Sequence, residues 1–171
     1  MVTELPEFPP QTGGERETLE GMLDFYRGII ARKLEGLDEA AARRVFTPSG
    51  MSPIGVVNHM LCVELWWYAE VLERAKPEMP YTAEEWVADP DCDWKPPAER
   101  TVGVVLADYD AACRVARAAA ARHELDEVFV HPANGDELSL RWIHVHMVEE
   151  CARHAGHLDV MRELIDGAVG D

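Results

Sequence analysis

The chain has 171 residues, 47% of them apolar and 28% charged, enough for one sizeable core and too apolar for a disordered segment. With 16 basic against 32 acidic residues the net charge is −16, a surface that repels phosphate backbones and anionic lipid. No apolar run reaches the ~18 residues of a membrane span, and the opening MVTELPEFPPQTGGERE lacks the basic and apolar regions of a signal peptide. These features predict a cytoplasmic protein of one domain that binds neither nucleic acid nor membrane. Cys62, Cys92, Cys113 and Cys151 form no CxxC pair and read as ordinary thiols packed in helices, not as zinc ligands.

Residues 1–14, with Pro6, Pro9, Pro10, Gly13 and Gly14, read as an irregular arm, and residues 15–171 as one helical domain. A first helix is predicted from Glu15 to Leu37, because Leu19, Met22, Leu23, Tyr26, Ile29, Ile30, Leu34 and Leu37 recur at intervals of three and four. Asp38 starts a short helical turn that Thr47-Pro48-Ser49-Gly50 breaks. Ser52-Pro53 then has the form of an N-cap followed by proline in the first turn. The second long helix is predicted to run to Arg74 and, being apolar on most faces, to be buried.

Residues 77–97 carry five prolines with Tyr81, Trp86 and Trp94, and are predicted to be a long connection that walls a pocket or covers the core. Thr101 caps a third helix running to Glu124. Val128–Val130 and Leu138–Leu140 around Asn134-Gly135 predict a small hairpin. A fourth helix from Ser139 to Ile165 repeats Leu140, His144, Met147, Cys151, His154, Leu158, Met161 and Ile165 at three and four residues, the seam of a bundle helix, and Gly167 ends it. Four long helices with long second and third connections predict an all-α four-helix bundle.

Two polar features stand where apolar residues are expected. His59 has Val56, Cys62 and Val63 as helical neighbours, so it faces an apolar side, unlike Glu64 and Glu70. In HVHMVEECARHAGHLD, the ~100° per residue of an α-helix puts Glu150, His154 and His157 within roughly 60° of one another, with His146 one turn earlier. A carboxylate and an imidazole four residues apart form a chelate for a divalent metal, and His59 can supply a third ligand from the facing helix. Three protein ligands leave a position open, as in catalytic zinc sites. The plainer reading of each histidine is a hydrogen-bonded core or surface side chain. That reading holds for His144, off the stripe, and for His123 and His131, at loop edges and facing solvent.

These residues carry a resemblance. GMSPIGVVNHMLCVELWW, LRWIHVHMVEECARHAGHLDVMRELIDG, the opening ETLEGMLDFYRGIIARKLEGLDEAAARR and the DCDW loop resemble the DinB-like (YfiT-like) four-helix metalloenzyme superfamily. The similarity is to its actinobacterial mycothiol-dependent S-transferase branch and, more distantly, to mycothiol-dependent maleylpyruvate isomerase. The resemblance covers Glu15 to Gly167 and implies a divalent metal, zinc or nickel, on His59, Glu150 and His154. Most members carry histidine where this chain has Glu150, the isomerase carries glutamate, and His157 is an alternative third ligand.

The implied activity is metal-dependent transfer of a low-molecular-weight thiol, mycothiol by resemblance, to an electrophilic carbon, in detoxification. The thiolate is the nucleophile in such a transfer. Trp66, Trp67, Trp94 and Trp142 are candidates to line the electrophile pocket, or else pack in the core. Arg153 and Arg141 are candidates to hold carboxylate or sugar groups, or else are exposed helix arginines. The competing function is a non-catalytic, stress-associated metal-binding bundle, dimeric through exposed helix faces. A metal-free bundle with structural histidines is the third.

Overall fold

The computed structural model describes residues 7–170, so the first six residues of the predicted arm and Asp171 lie outside the described residues. Four helices form the bundle: α1 (Glu15–Leu34), α3 (Pro53–Glu64), α5 (Val102–Ala120) and α6 (Leu140–Asp166). Between them lie the short α2 (Glu39–Ala42), α4 (Ala83–Ala88) and a two-stranded hairpin, β1 (Val128–Val130) and β2 (Glu137–Ser139). The main packing pairs are α1 with α6 and α3 with α5. Leu23, Ile30, Leu34, Val56, Val57, Met60, Tyr109, Ile143, Met147 and Leu158 fill the space between them.

The two caps read from the sequence are present: Ser52 and Thr101 accept from the backbone N–H of Gly55 and Val104. Ser139 and Asp38, read only as the first residues of their helices, also cap them, accepting from the N–H of Trp142 and Ala41. Gly167 closes α6 with a left-handed φ of 78°.

Several boundaries differ. α1 stops at Leu34 rather than Leu37, because Gly36 takes a left-handed φ of 76° and turns the chain. α5 ends at Ala120, four residues early; the following Arg122 and His123 instead pair with Glu73. The hairpin pairs Phe129 with Leu138, and Leu140 already belongs to α6, so its second strand lies one residue earlier than predicted. The connection 77–97 contains α4, opened by a reciprocal Thr82–Glu85 capping box, and a 3₁₀ turn at Cys92–Trp94. The Thr-x-x-Glu spacing was the available signal.

Helix α3 changes character along its length. From Leu65 to Leu72 it continues as a π-helix, and Arg74, at φ 54°, ends it. At the junction Glu64 is fully buried, against the expectation that it faces away from the apolar side. Both its carboxylate oxygens accept from Arg27 of α1, from Nε and Nη2, each at 2.7 Å. Arg27 also donates to Asp24 at 3.0 Å and lies 5.6 Å from the Tyr68 ring centroid. A turn beyond, the Tyr68 hydroxyl meets His144 Nδ1 at 2.7 Å, so His144 is a core histidine, as its place off the stripe predicted.

Burial, reinforced by the charges of Arg27 and Arg16, pushes the His144 imidazole down to about 4. An unfolded histidine titrates near 6.5. Between these values the unfolded chain holds a proton that the folded chain refuses, so stability is full above about 6.5 and declines as pH falls to about 4. We expect denaturation midpoints to fall over this interval, with His144 contributing about 1.4 kcal/mol per pH unit. A His144→Phe variant is expected to show a slope shallower by that amount, checked by urea titration at pH 7, 6 and 5.

Candidate metal centre

The site is assembled where α3, α6 and the Cys92–Trp94 turn meet. Gly55 admits the turn: a Cβ there would overlap the Trp94 carbonyl oxygen. One residue before His59, the buried Asn58 holds the turn in place. Its Nδ2 donates to the Asp93 carbonyl at 2.6 Å and to the Tyr81 hydroxyl at 2.9 Å, and its Oδ1 accepts from Arg100 at 2.9 Å.

The turn thus brings two side chains onto His59. Asp93, 2% exposed, sets Oδ2 at 2.7 Å from His59 Nδ1, and Trp94 stacks on the ring with centroids 4.0 Å apart. With Nδ1 engaged by a carboxylate, Nε2 is the free donor of His59.

From α6, Glu150 and His154 meet this ring. His154 Nε2 lies 3.3 Å from Glu150 Oε2, and the His59 and His154 rings are 5.2 Å apart. One ligand atom from each of His59, Glu150 and His154 falls within 4.8 Å of the other two. His157, the alternative third ligand, is not in that group; its Nδ1 lies 3.3 Å from His154 Nδ1, behind the ring.

His154 is 5% exposed, and burial, together with the neighbouring His59 and His157, pushes its imidazole down to about 3. It is therefore neutral at pH 7, the form that accepts a cation. Two imidazoles and one carboxylate are a donor set suited to zinc or nickel, and the Asp93–His59 contact is the outer support such ligands carry.

The other candidates separate into two groups. A cleft of about 700 Å³ opens beside His59, walled by Val63, Trp66, Met79, Trp86, Pro90 and Trp94. Trp67 and Trp142 are not in its wall. They form a cluster along α6: Trp142 stacks on His146 at 5.1 Å, and Trp67 lies 5.6 Å from Trp142 and 4.8 Å from His146. Arg153 pairs with Glu149 and reaches within 3.7 Å of Glu150. His146, Glu149 and Glu150 form a second close group of donors, but with Arg153 already among the carboxylates.

Arg141 is tied to Glu15 and Asp126 on the surface, the plainer of its two readings. Two expectations change. His131 does not stand in solvent but packs on Trp66 and Trp67, at 6.0 and 5.7 Å. His123, likewise expected in solvent, pairs with Glu73 at 2.8 Å and Glu127 at 3.0 Å.

The sequence reading gave no role to Asp93 or Asn58. Asp93 lies within the DCDW segment already singled out, but its partner is 34 residues away, and only the fold of the connection shows the pairing.

Among the described residues no helix is long and apolar enough to cross a membrane. No curated protein matched the chain. The sequence model of the Mycothiol-S-transferase family matches residues 18–167, a span that takes in His59, the Asp93 turn and the Glu150–His154 segment; the chain belongs to that family.

Proposed function

We propose that this protein is a divalent-metal-dependent mycothiol S-transferase, joining the thiol of mycothiol to an electrophilic carbon in a detoxification reaction. The observation that carries the reading is the convergence of His59, Glu150 and His154 within 4.8 Å beside an apolar cleft, in a chain of this family. Zinc or nickel is the metal, and Glu150 rather than His157 completes the ligand set. When bound, such a cation supplies deprotonation of a coordinating thiol near neutral pH.

The protein's own groups do the rest. Asp93 fixes the His59 ring and its tautomer through Nδ1, and Trp94 clamps the same ring by stacking. His157 meets Nδ1 of His154, leaving Nε2 on the side of Glu150. The single carboxylate, Glu150, offsets part of the cation's charge. Trp66, with Val63, Met79 and Trp86, provides an apolar wall that strips water from the electrophile. In the transfer a sulfur lone pair forms the S–C bond and the thiol proton passes to solvent; the leaving group departs with its bonding pair or, in an addition, the electrophile's π pair moves onto its acceptor atom, which takes a proton from solvent.

The net charge of −16 supports small uncharged molecules, not nucleic acid, as partners of a cytoplasmic enzyme. Homodimerisation through exposed helix faces belongs to the competing binding-bundle reading.

The test is thiol-dependent turnover of a model electrophile by zinc- or nickel-loaded and chelator-stripped protein. Mycothiol-dependent product from the loaded form, lost on stripping and restored by metal, is the expected result. Stoichiometric metal with no turnover favours the non-catalytic bundle. Turnover that survives complete stripping removes the metal from the reaction.

A further inference from the structure

Resting on the reading above, we propose that the Trp142–His146 stack is the docking platform for the sugar portion of mycothiol, separate from the cleft that takes the electrophile. Mycothiol is an N-acetylated cysteine in amide linkage to glucosamine, which is joined to inositol. It therefore carries two uncharged rings beyond its thiol. Such rings are recognised by aromatic faces, against which ring C–H groups pack, and by flanking hydrogen-bonding side chains.

Helix α6 presents that combination in one row. Trp142, His146, Glu150 and His154 succeed one another at intervals of four residues. Trp142 therefore stands about 12 Å along the axis from Glu150. A cysteinyl unit with its sulfur at the His59–Glu150–His154 donors, followed by two six-membered rings end to end, covers that span.

The row has the surface such a ligand needs. Trp142 is 46% exposed although it is a tryptophan, and its ring is held in place by His146, stacked at 17°, and by Trp67. A large aromatic held rigid and left half open costs little further ordering on binding. Glu149 and Arg153, a surface ion pair beside the row, offer acceptors and donors to sugar hydroxyls.

The cleft beside His59 has a different character. Its wall is mainly apolar, from Val63, Trp66, Met79, Trp86 and Pro90, with Glu70, Tyr81 and Asp91 among its polar members. The two halves of the reaction therefore have chemically distinct places, a polar aromatic row for the thiol's sugars and a mainly apolar cleft for the electrophile.

Two measurements test this. Calorimetric titration of metal-free protein with thiol-free N-acetylglucosaminyl-inositol is expected to show saturable binding. Trp142→Ala should abolish that binding, and Trp142→Tyr, which keeps a ring, should largely preserve it. In the loaded enzyme, Trp142→Ala is expected to raise KM for mycothiol roughly tenfold with kcat little changed. Turnover with N-acetylcysteine, which has no sugar, should stay as in the wild type. Equal fragment binding by wild type and Trp142→Ala, no fragment binding at all, or an equal KM rise for both thiols would overturn the proposal. If the wild type turns over neither thiol, the transferase reading fails, and the fragment titration still decides whether the platform binds sugar.

Discussion

Purified His154→Ala and His59→Ala proteins are expected to carry no stoichiometric divalent metal, where the wild type carries about one equivalent, and to lose thiol-dependent turnover by more than about 100-fold. Each variant leaves two donors, too few to hold a cation in competition with water. Mass-spectrometric metal analysis on untagged protein is the direct readout. Asp93→Asn should be milder. It keeps the shape of the turn and its backbone bond from Asn58 but removes the charge on His59 Nδ1. We expect metal affinity to fall about 10- to 100-fold, the usual cost of losing an outer-shell carboxylate. His157→Ala should retain the metal. If His157→Ala empties the site and Glu150→Ala does not, the third ligand is His157 and the proposed set is wrong.

The second large effect concerns stability. Arg27 is 5% exposed and Glu64 fully buried, and the two are joined by a bidentate pair across α1 and α3. Burial works against the Arg27 charge, and the adjoining Glu64 carboxylate outweighs it. Removing Arg27 leaves Glu64 charged and unpaired in the core, and removing Glu64 leaves the buried Arg27 with only the half-exposed Asp24 as its partner. Glu64→Ala or Arg27→Ala is therefore expected to cost about 3–5 kcal/mol. For a chain of this size that corresponds to a fall in Tm of roughly 6–20 °C.

Replacing both by apolar residues of similar volume, Arg27→Met with Glu64→Leu, should recover most of the loss, because the desolvation cost of both charges goes with them. Thermal unfolding of the two single variants and the double variant, followed by circular dichroism, gives the comparison. Recovery in the double variant assigns the loss to the isolated charge. An equal loss in all three assigns it to packing around the π-helical junction.

Much of the scaffold was legible from residue order alone, because capping and helical periodicity are local. Ser52, Thr101, Ser139 and Gly167 mark helix ends through bonds that span three or four residues, and each does so in the folded chain. Where the glycine marker went unread, as Gly36 after Leu34, or is lacking, as at Ala120, the predicted ends ran three or four residues long. The π-helical stretch Leu65–Leu72 leaves no local signature, since its apolar residues suit an α-helix equally well. Glu64 was misread for a related reason: the cation that makes its burial tolerable is 37 residues away on α1.

The candidate site divides along the same line. The sequence by itself determined the helical scaffold, the acidic surface and the row of polar residues on α6, because all of these follow from spacing within one segment or from composition. It also carried the resemblance that pairs His59 with that row. Only the tertiary structure decided which atoms meet. It brought the Asp93 turn onto His59, set Glu150 beside His154 Nε2 and His157 behind it, and separated Trp66 in the cleft from Trp142 on the row. The physical reason is that these contacts depend on the path of the 77–97 connection and on how α3 and α6 face one another. Both are fixed by packing and by long-range bonds such as those of Asn58 and Arg27, and no single stretch of sequence contains both partners.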